Sequence, residues 1–183
     1  MTNYRIFHTP SEVAAWVQQH YTTQEIDELT VQNDMDSPLA YYKGSSYKYM
    51  NQIIRKGYPD NTDLFDLPGL QCLLHRHRIP ENLVVYRFVD WQEFLILLWN
   101  TRFRKIYSYP GFLSTTLLKD HYSMGYIRNG RTVIELHVHA GCPGTYLPEV
   151  VKENPEFEIL FPHSCSIRRI GWRKYEIVPK QSP

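Results

Sequence analysis

The chain has 183 residues, 43% of them hydrophobic and 14% aromatic, with a net charge of +1. That length fits one ordinary domain, and the apolar content is enough for a core, which excludes a disordered chain. A charge this close to zero argues against a general nucleic-acid binder, which carries a basic excess.

Three cysteines, Cys72, Cys142 and Cys165, lie far apart with no C-x-x-C pair. This speaks for buried thiols in a reducing compartment and against zinc. The opening MTNYRIFHTPSE shows no basic segment ahead of an apolar one, so no secretory signal is read there. No apolar run reaches membrane-spanning length, FLILLW at 94–99 being far too short. The expectation is a soluble protein acting in a cytosol, with neither a membrane nor a nucleic acid as partner.

Taken in chain order, Thr9-Pro10-Ser11-Glu12 has capping-box spacing with proline in the first turn, ahead of Val13, Trp16 and Val17. Thr22 to Glu25 repeats the pattern before Ile26 and Leu29. SSYKYMNQIIRKG at 45–57 predicts a third helix, ended near Gly57 and Pro59. PGLQCLLHRHR at 68–78 predicts a fourth, which stops before Pro80. After Pro80 the pattern changes. LVVYRFV at 83–89 is β-branched and aromatic, of strand length, and WQEFLILLW at 91–99 predicts a short amphipathic helix.

YSYPGFLSTTL at 107–117 holds a Pro-Gly turn and then a strand. RTVIELHVHAG at 131–141 alternates, with Ile134, Leu136 and Val138 on one face and Glu135, His137 and His139 on the other. EFEILF at 156–161 and RKYEIVP at 173–179 follow as strands. The basic clusters TRFRK at 101–105 and IRRIGWRK at 167–174 read as solvated strand or loop edges. No repeat, linker or second domain is visible. Helices first and strands later predict an α+β fold in a single domain over 1–183, mainly helical to residue 80 and mainly β beyond it.

Three strands carry polar residues. Arg87 cannot lose its proton, so in a buried strand it needs an anionic partner, whereas on an edge strand it lies in water. Ser114, Thr115 and Thr116 can brace a neighbouring carboxylate or a ligand. Glu156 and Glu158, in strand alternation, share a face at about 7 Å and repel modestly. His75 and His77 sit two apart on a helix, poor spacing for shared ligation, and His137 and His139 lack a third ligand, so no metal is expected.

In this order the three motifs resemble the Arg-Ser-Glu class of mono-ADP-ribosyltransferases, more specifically the bacterial exoenzyme or toxin type. YKGSSYKYMNQIIR at 42–55 is similar to that group's N-terminal helix motif, whose Asn and Arg line the NAD pocket. VVYRF, GFLSTT and PEFEILF match in sequence and spacing, and the likeness covers roughly residues 10 to 180.

The resemblance implies a split β-sandwich, in which a helical lobe flanks a cleft between two small, perpendicular antiparallel sheets. NAD is then the co-substrate, with no metal. Arg87 is implied to bind the cofactor's phosphates and ribose, with Asn51 and Arg55 adding to the grip. Ser114 is implied to steady the catalytic glutamate, with Thr115 and Thr116 as supporting strand residues. Glu158 is implied to hold the nicotinamide-ribose 2′-hydroxyl and stabilise the cation that forms as nicotinamide leaves, and Glu156 to activate a protein acceptor, arginine. Tyr107, Tyr109 and Phe112 resemble the segment that packs on nicotinamide.

One departure is Phe88, where relatives often have Gly after the first-strand Arg. Three alternatives stay open beside the transferase: an NAD glycohydrolase, a catalytically silent module and, disfavoured by the net charge, a nucleic-acid modifier. The translocation, binding or secretion domain of many relatives is not seen here. Part of a larger protein, a secreted effector delivered without a signal peptide and an endogenous regulator all remain open.

Overall fold

The computed structural model describes residues 2–29, 39, 42–43, 47–56, 66–120, 131–148 and 156–178. The predicted helical positions 45, 46 and 57, and the stop near Pro59, lie outside the described residues.

Capping chemistry sets the first two helices. In α1, Pro10–His20, Thr9 Oγ1 accepts from the Glu12 amide at 3.3 Å and the Glu12 carboxylate accepts from the His8 amide at 2.7 Å. In α2, Thr23–Leu29, Thr22 and Glu25 make the reciprocal pair of a capping box, at 2.8 and 3.2 Å. Helix α3, Tyr47–Lys56, buries Met50 and Ile53. Helix α4, Leu67–Arg76, buries Leu67, Leu70 and Leu74, the i, i+3, i+7 stripe that its sequence spells out. Helix α5, Trp91–Asn100, starts at Asp90, whose carboxylate accepts from the Glu93 amide at 2.7 Å.

Eight strands follow: β1 Leu83–Val89, β2 Ile106–Ser108, β3 Leu113–Thr116, β4 Thr132–Val138, β5 Thr145–Leu147, β6 Glu158–Phe161, β7 Ser166–Gly171 and β8 Lys174–Val178. They run in the order β2-β7-β8-β4-β1-β3-β6-β5. β1 is in register with β4 from Leu83↔Val138 to Val89↔Thr132, but with β3 only at Tyr86↔Thr116. The eight strands thus form one hydrogen-bonded sheet, whose larger and smaller sets of strands meet at that one residue pair. The antiparallel expectation has one exception, since β4 and β8 are parallel.

β4 alternates as its sequence predicts, with Ile134, Leu136 and Val138 buried. On its other face Glu135 accepts from His137 at 2.7 Å and from Lys174 at 3.0 Å. β3 and β6 lie between two cores. Leu113, Ile159 and Phe161 join Trp16, Val85 and Tyr175 on one side. Phe112 and Leu160 join Met50, Leu70 and Leu74 on the other. Each such side chain contributes roughly 1.5–3 kcal/mol on burial, so the thin set of strands is clamped from both sides. None of the described helices is long and apolar enough to cross a membrane.

Candidate active site

Glu158 opens β6, opposite Thr116 of β3 and Leu147 of β5, and is only 7% exposed. The strand expected from Glu156 starts here instead. Phe157 has a left-handed backbone at φ 46°, which a bulky L-residue adopts at a cost of roughly 1–2 kcal/mol. Two bonds hold the bend. The Leu117 amide donates to Phe157 O at 3.0 Å, and Thr116 Oγ1 donates to Glu156 O at 2.9 Å. Glu156 is therefore exposed while Glu158 is buried, and strand alternation does not set their relation. Thr115 Oγ1 donates to Ile159 O at 2.9 Å, so both threonines pin β6 to β3.

Burial pushes the Glu158 carboxyl up to about 7. The Ser114 hydroxyl pulls it down by hydrogen bonding, and the Glu156 charge adds to the rise. Lys43 and Arg87 act in the lowering direction. Ser114, Glu156, Lys43 and Arg87 thus all act on the one Glu158 carboxyl.

Arg87 lies on β1 between β4 and β3, so the edge-strand alternative does not hold. Its Nε and Nη2 donate to Glu93 at 2.9 and 3.4 Å, Nη1 donates to Ser114 O at 2.7 Å, and Nη2 donates to Tyr109 Oη at 2.9 Å. Tyr109 Oη in turn donates to Glu93 Oε1 at 2.6 Å. Burial works against the Arg87 charge, but the Tyr109 and Glu93 oxygens outweigh it and raise its pKa. Burial also pushes the Tyr109 phenol up to about 12, which keeps it a donor at neutral pH. Nη1 keeps one N–H beyond its bond to Ser114 among the described residues, a donor left for a ligand.

Asn51 and Arg55, one helical turn apart on α3, both hold the turn that precedes β3. Asn51 Oδ1 accepts from the Phe112 amide at 2.8 Å, and Arg55 Nε donates to Pro110 O at 3.0 Å. Gly111, at φ 135°, permits this approach, because a Cβ there would lie 2.6 Å from Asn51 Oδ1. Phe112 is 1% exposed and meets Tyr42 and His163 edge-on, each with centroids 5.6 Å apart. It packs beneath the site and presents no open face. Arg102 and Arg104 lie on an exposed 3₁₀ turn at 102–104.

The sequence profile of the family described as ADP-ribosyltransferase exoenzyme matches residues 14–177. The chain belongs to this family. Among proteins of curated function, no sequence matches it. Solved structures give the exoenzyme fold independently. The ADP-ribosylating toxin BECa of a Clostridium perfringens binary enterotoxin, determined with NADH, superposes with a TM-score of 0.71 at 20% identity, over 91% of this chain and 43% of that one. The enzymatic component C2-I of the Clostridium botulinum C2 toxin gives 0.66 at 18% identity, over 92% and 47%. The C3 exoenzyme of Clostridium limosum gives 0.65 at 15% identity, over 96% of this chain and 95% of that one. The chain thus spans less than half the length of the first two and nearly all of the third.

Three residues of this exoenzyme site escape a reading of its sequence. Glu93 lies in the first turn of α5, and its carboxylate also holds Arg87. Tyr42 is buried beside Glu158 and Arg87, with its phenol raised by burial and by the Glu158 charge. Lys43 follows it, and its charge acts to lower the pKa of the same carboxyl. Tyr42 and Lys43 open the motif at 42–55, but nothing in their residue types marks a place beside the glutamate.

Proposed function

We propose that this chain transfers ADP-ribose from NAD to a protein arginine and releases nicotinamide. The observation that carries this reading is the burial of the Glu158 carboxyl at the start of β6, beside the β3 segment that carries Ser114 and within the span of the exoenzyme family profile. In the transfer, the bond between nicotinamide nitrogen and ribose C1′ breaks. Its electron pair leaves with nicotinamide, and positive charge develops on the ribose. Glu158, once ionised, accepts a hydrogen bond from the 2′-hydroxyl and stabilises that charge in a site shielded from water. An acceptor guanidinium nitrogen then bonds to C1′ and gives its proton to Glu156, which is exposed enough to meet a protein surface.

Arg87 supplies a fixed cation and a free N–H toward the NAD phosphates. Asn51 and Arg55 support the turn at 110–112 and, through it, Ser114. Glycohydrolysis is the second reading, since Glu156 opens onto solvent and water can replace the acceptor. The test is incubation with NAD labelled in the adenine ribose and with poly-arginine or poly-asparagine. Label on poly-arginine alone supports arginine transfer. Label on poly-asparagine alone, or nicotinamide release with no label on either, overturns it.

A further inference from the structure

Helix α5 has two faces with different work. Glu93 turns inward to Arg87, while Leu95, Ile96 and Trp99 face solvent. Together with Trp172 from the β7–β8 turn they form a groove of about 710 Å³. Trp99 and Trp172 are 65% and 67% exposed. A contiguous apolar face of this kind marks an interaction site rather than scattered surface side chains.

The edge of the groove is cationic. Arg102 lies 4.0 Å above the Trp99 ring, Arg169 lines the groove, and Arg173 stands 5.7 Å from the Trp172 ring. Among the described residues no acidic side chain lines the groove, and none of these arginines pairs with a carboxylate. Two tight turns flank this surface. Phe103, Arg104 and Arg173 are all left-handed, at φ 56°, 58° and 55°, and Phe103 is 85% exposed.

We propose that this groove docks an amphipathic helix of a partner protein, with an apolar stripe flanked by Asp and Glu. A concave apolar floor accepts the ridge of a helix, with i, i+3, i+4 and i+7 side chains as anchors. The cationic edge selects acidic flanks. A second copy joined face to face sets arginine against arginine. This inference stands without the transferase reading.

The test uses the full chain and two synthetic helical peptides with the same Leu stripe, one flanked by Glu and one by Lys. Phosphatidylserine vesicles are a third probe. Binding is read by peptide anisotropy and by tryptophan emission. The Glu-flanked peptide is expected to bind about tenfold tighter or more. Trp99→Ala with Trp172→Ala abolishes binding, and Arg102→Glu with Arg169→Glu inverts the preference between peptides. Unchanged melting of these surface variants shows that the fold is kept. Equal or absent binding of the two peptides overturns the proposal. So does binding to vesicles alone, or self-association of the chain that Trp99→Ala removes.

Discussion

Arg87 places Nε and Nη2 on the two carboxylate oxygens of Glu93, at 2.9 and 3.4 Å, across the junction between β1 and α5. The pair is partly shielded, with side chains 17% and 21% exposed, so removing one partner strands the other charge. A double-mutant cycle with Arg87→Met and Glu93→Gln, read by urea unfolding, is expected to show a coupling of about 1–3 kcal/mol. Additive effects would show that the pair contributes nothing to the fold.

Glu158 has a stability consequence with a definite sign. Its pKa is raised from 4.5 to about 7 in the folded chain, so the folded state binds the proton more tightly than the unfolded state. Its contribution is fully present below pH 4.5 and is lost as pH rises through about 7. The loss is on the order of 3 kcal/mol, at about 1.4 kcal/mol per tenfold change in proton affinity. Glu158→Gln is expected to melt higher than the parent at pH 8 and to match it at pH 4. An equal difference at both pH values would contradict this.

The same group sets the acid side of the rate profile. Under the proposed function the ionised form acts on the ribose, so kcat/KM for NAD is expected to rise with pH and level off above about 7. Ser114 stabilises the ionised form, so Ser114→Ala moves this limb to higher pH. Glu156 opposes ionisation, so Glu156→Gln moves it to lower pH. Shifts in the same direction for both variants would refute the assigned roles.

Gly111 holds a backbone conformation that glycine alone adopts without strain. Gly111→Ala puts a Cβ 2.6 Å from Asn51 Oδ1 at φ 135°, so Asn51 must leave the Phe112 amide. The expected loss is ~2 kcal/mol or more, with NAD binding weakened because Ser114 follows that turn. Asn51→Ala alone leaves the amide unpaired and is expected to cost about 1–3 kcal/mol. Thermal melts and NAD titration of both variants check this.

What the sequence makes legible is what local chemistry decides. The caps at Thr9 and Thr22, the β1 run and the β4 alternation each follow from spacing within a few residues. β5 is three residues long, too short to show a period, and the two arginines of β7 mask its strand pattern. The bend at Phe157 has no residue signature, because aromatic side chains rarely take a left-handed backbone. Glu93 is hidden for another reason: an acid in the first turn of a helix already has an ordinary explanation. Asn51 and Arg55 are legible as part of the motif, but only the tertiary structure shows that they hold the turn at 110–112.

The division of labour between Glu158 and Glu156 is tested most directly by measuring nicotinamide release and protein labelling together. NAD tagged on its adenine ribose is added to cell lysate with the parent chain, Glu158→Ala or Glu156→Ala. The parent is expected to do both, Glu158→Ala neither, and Glu156→Ala to release nicotinamide without labelling protein. Full labelling by Glu158→Ala, or loss of nicotinamide release in Glu156→Ala, would contradict the roles assigned to the two carboxylates.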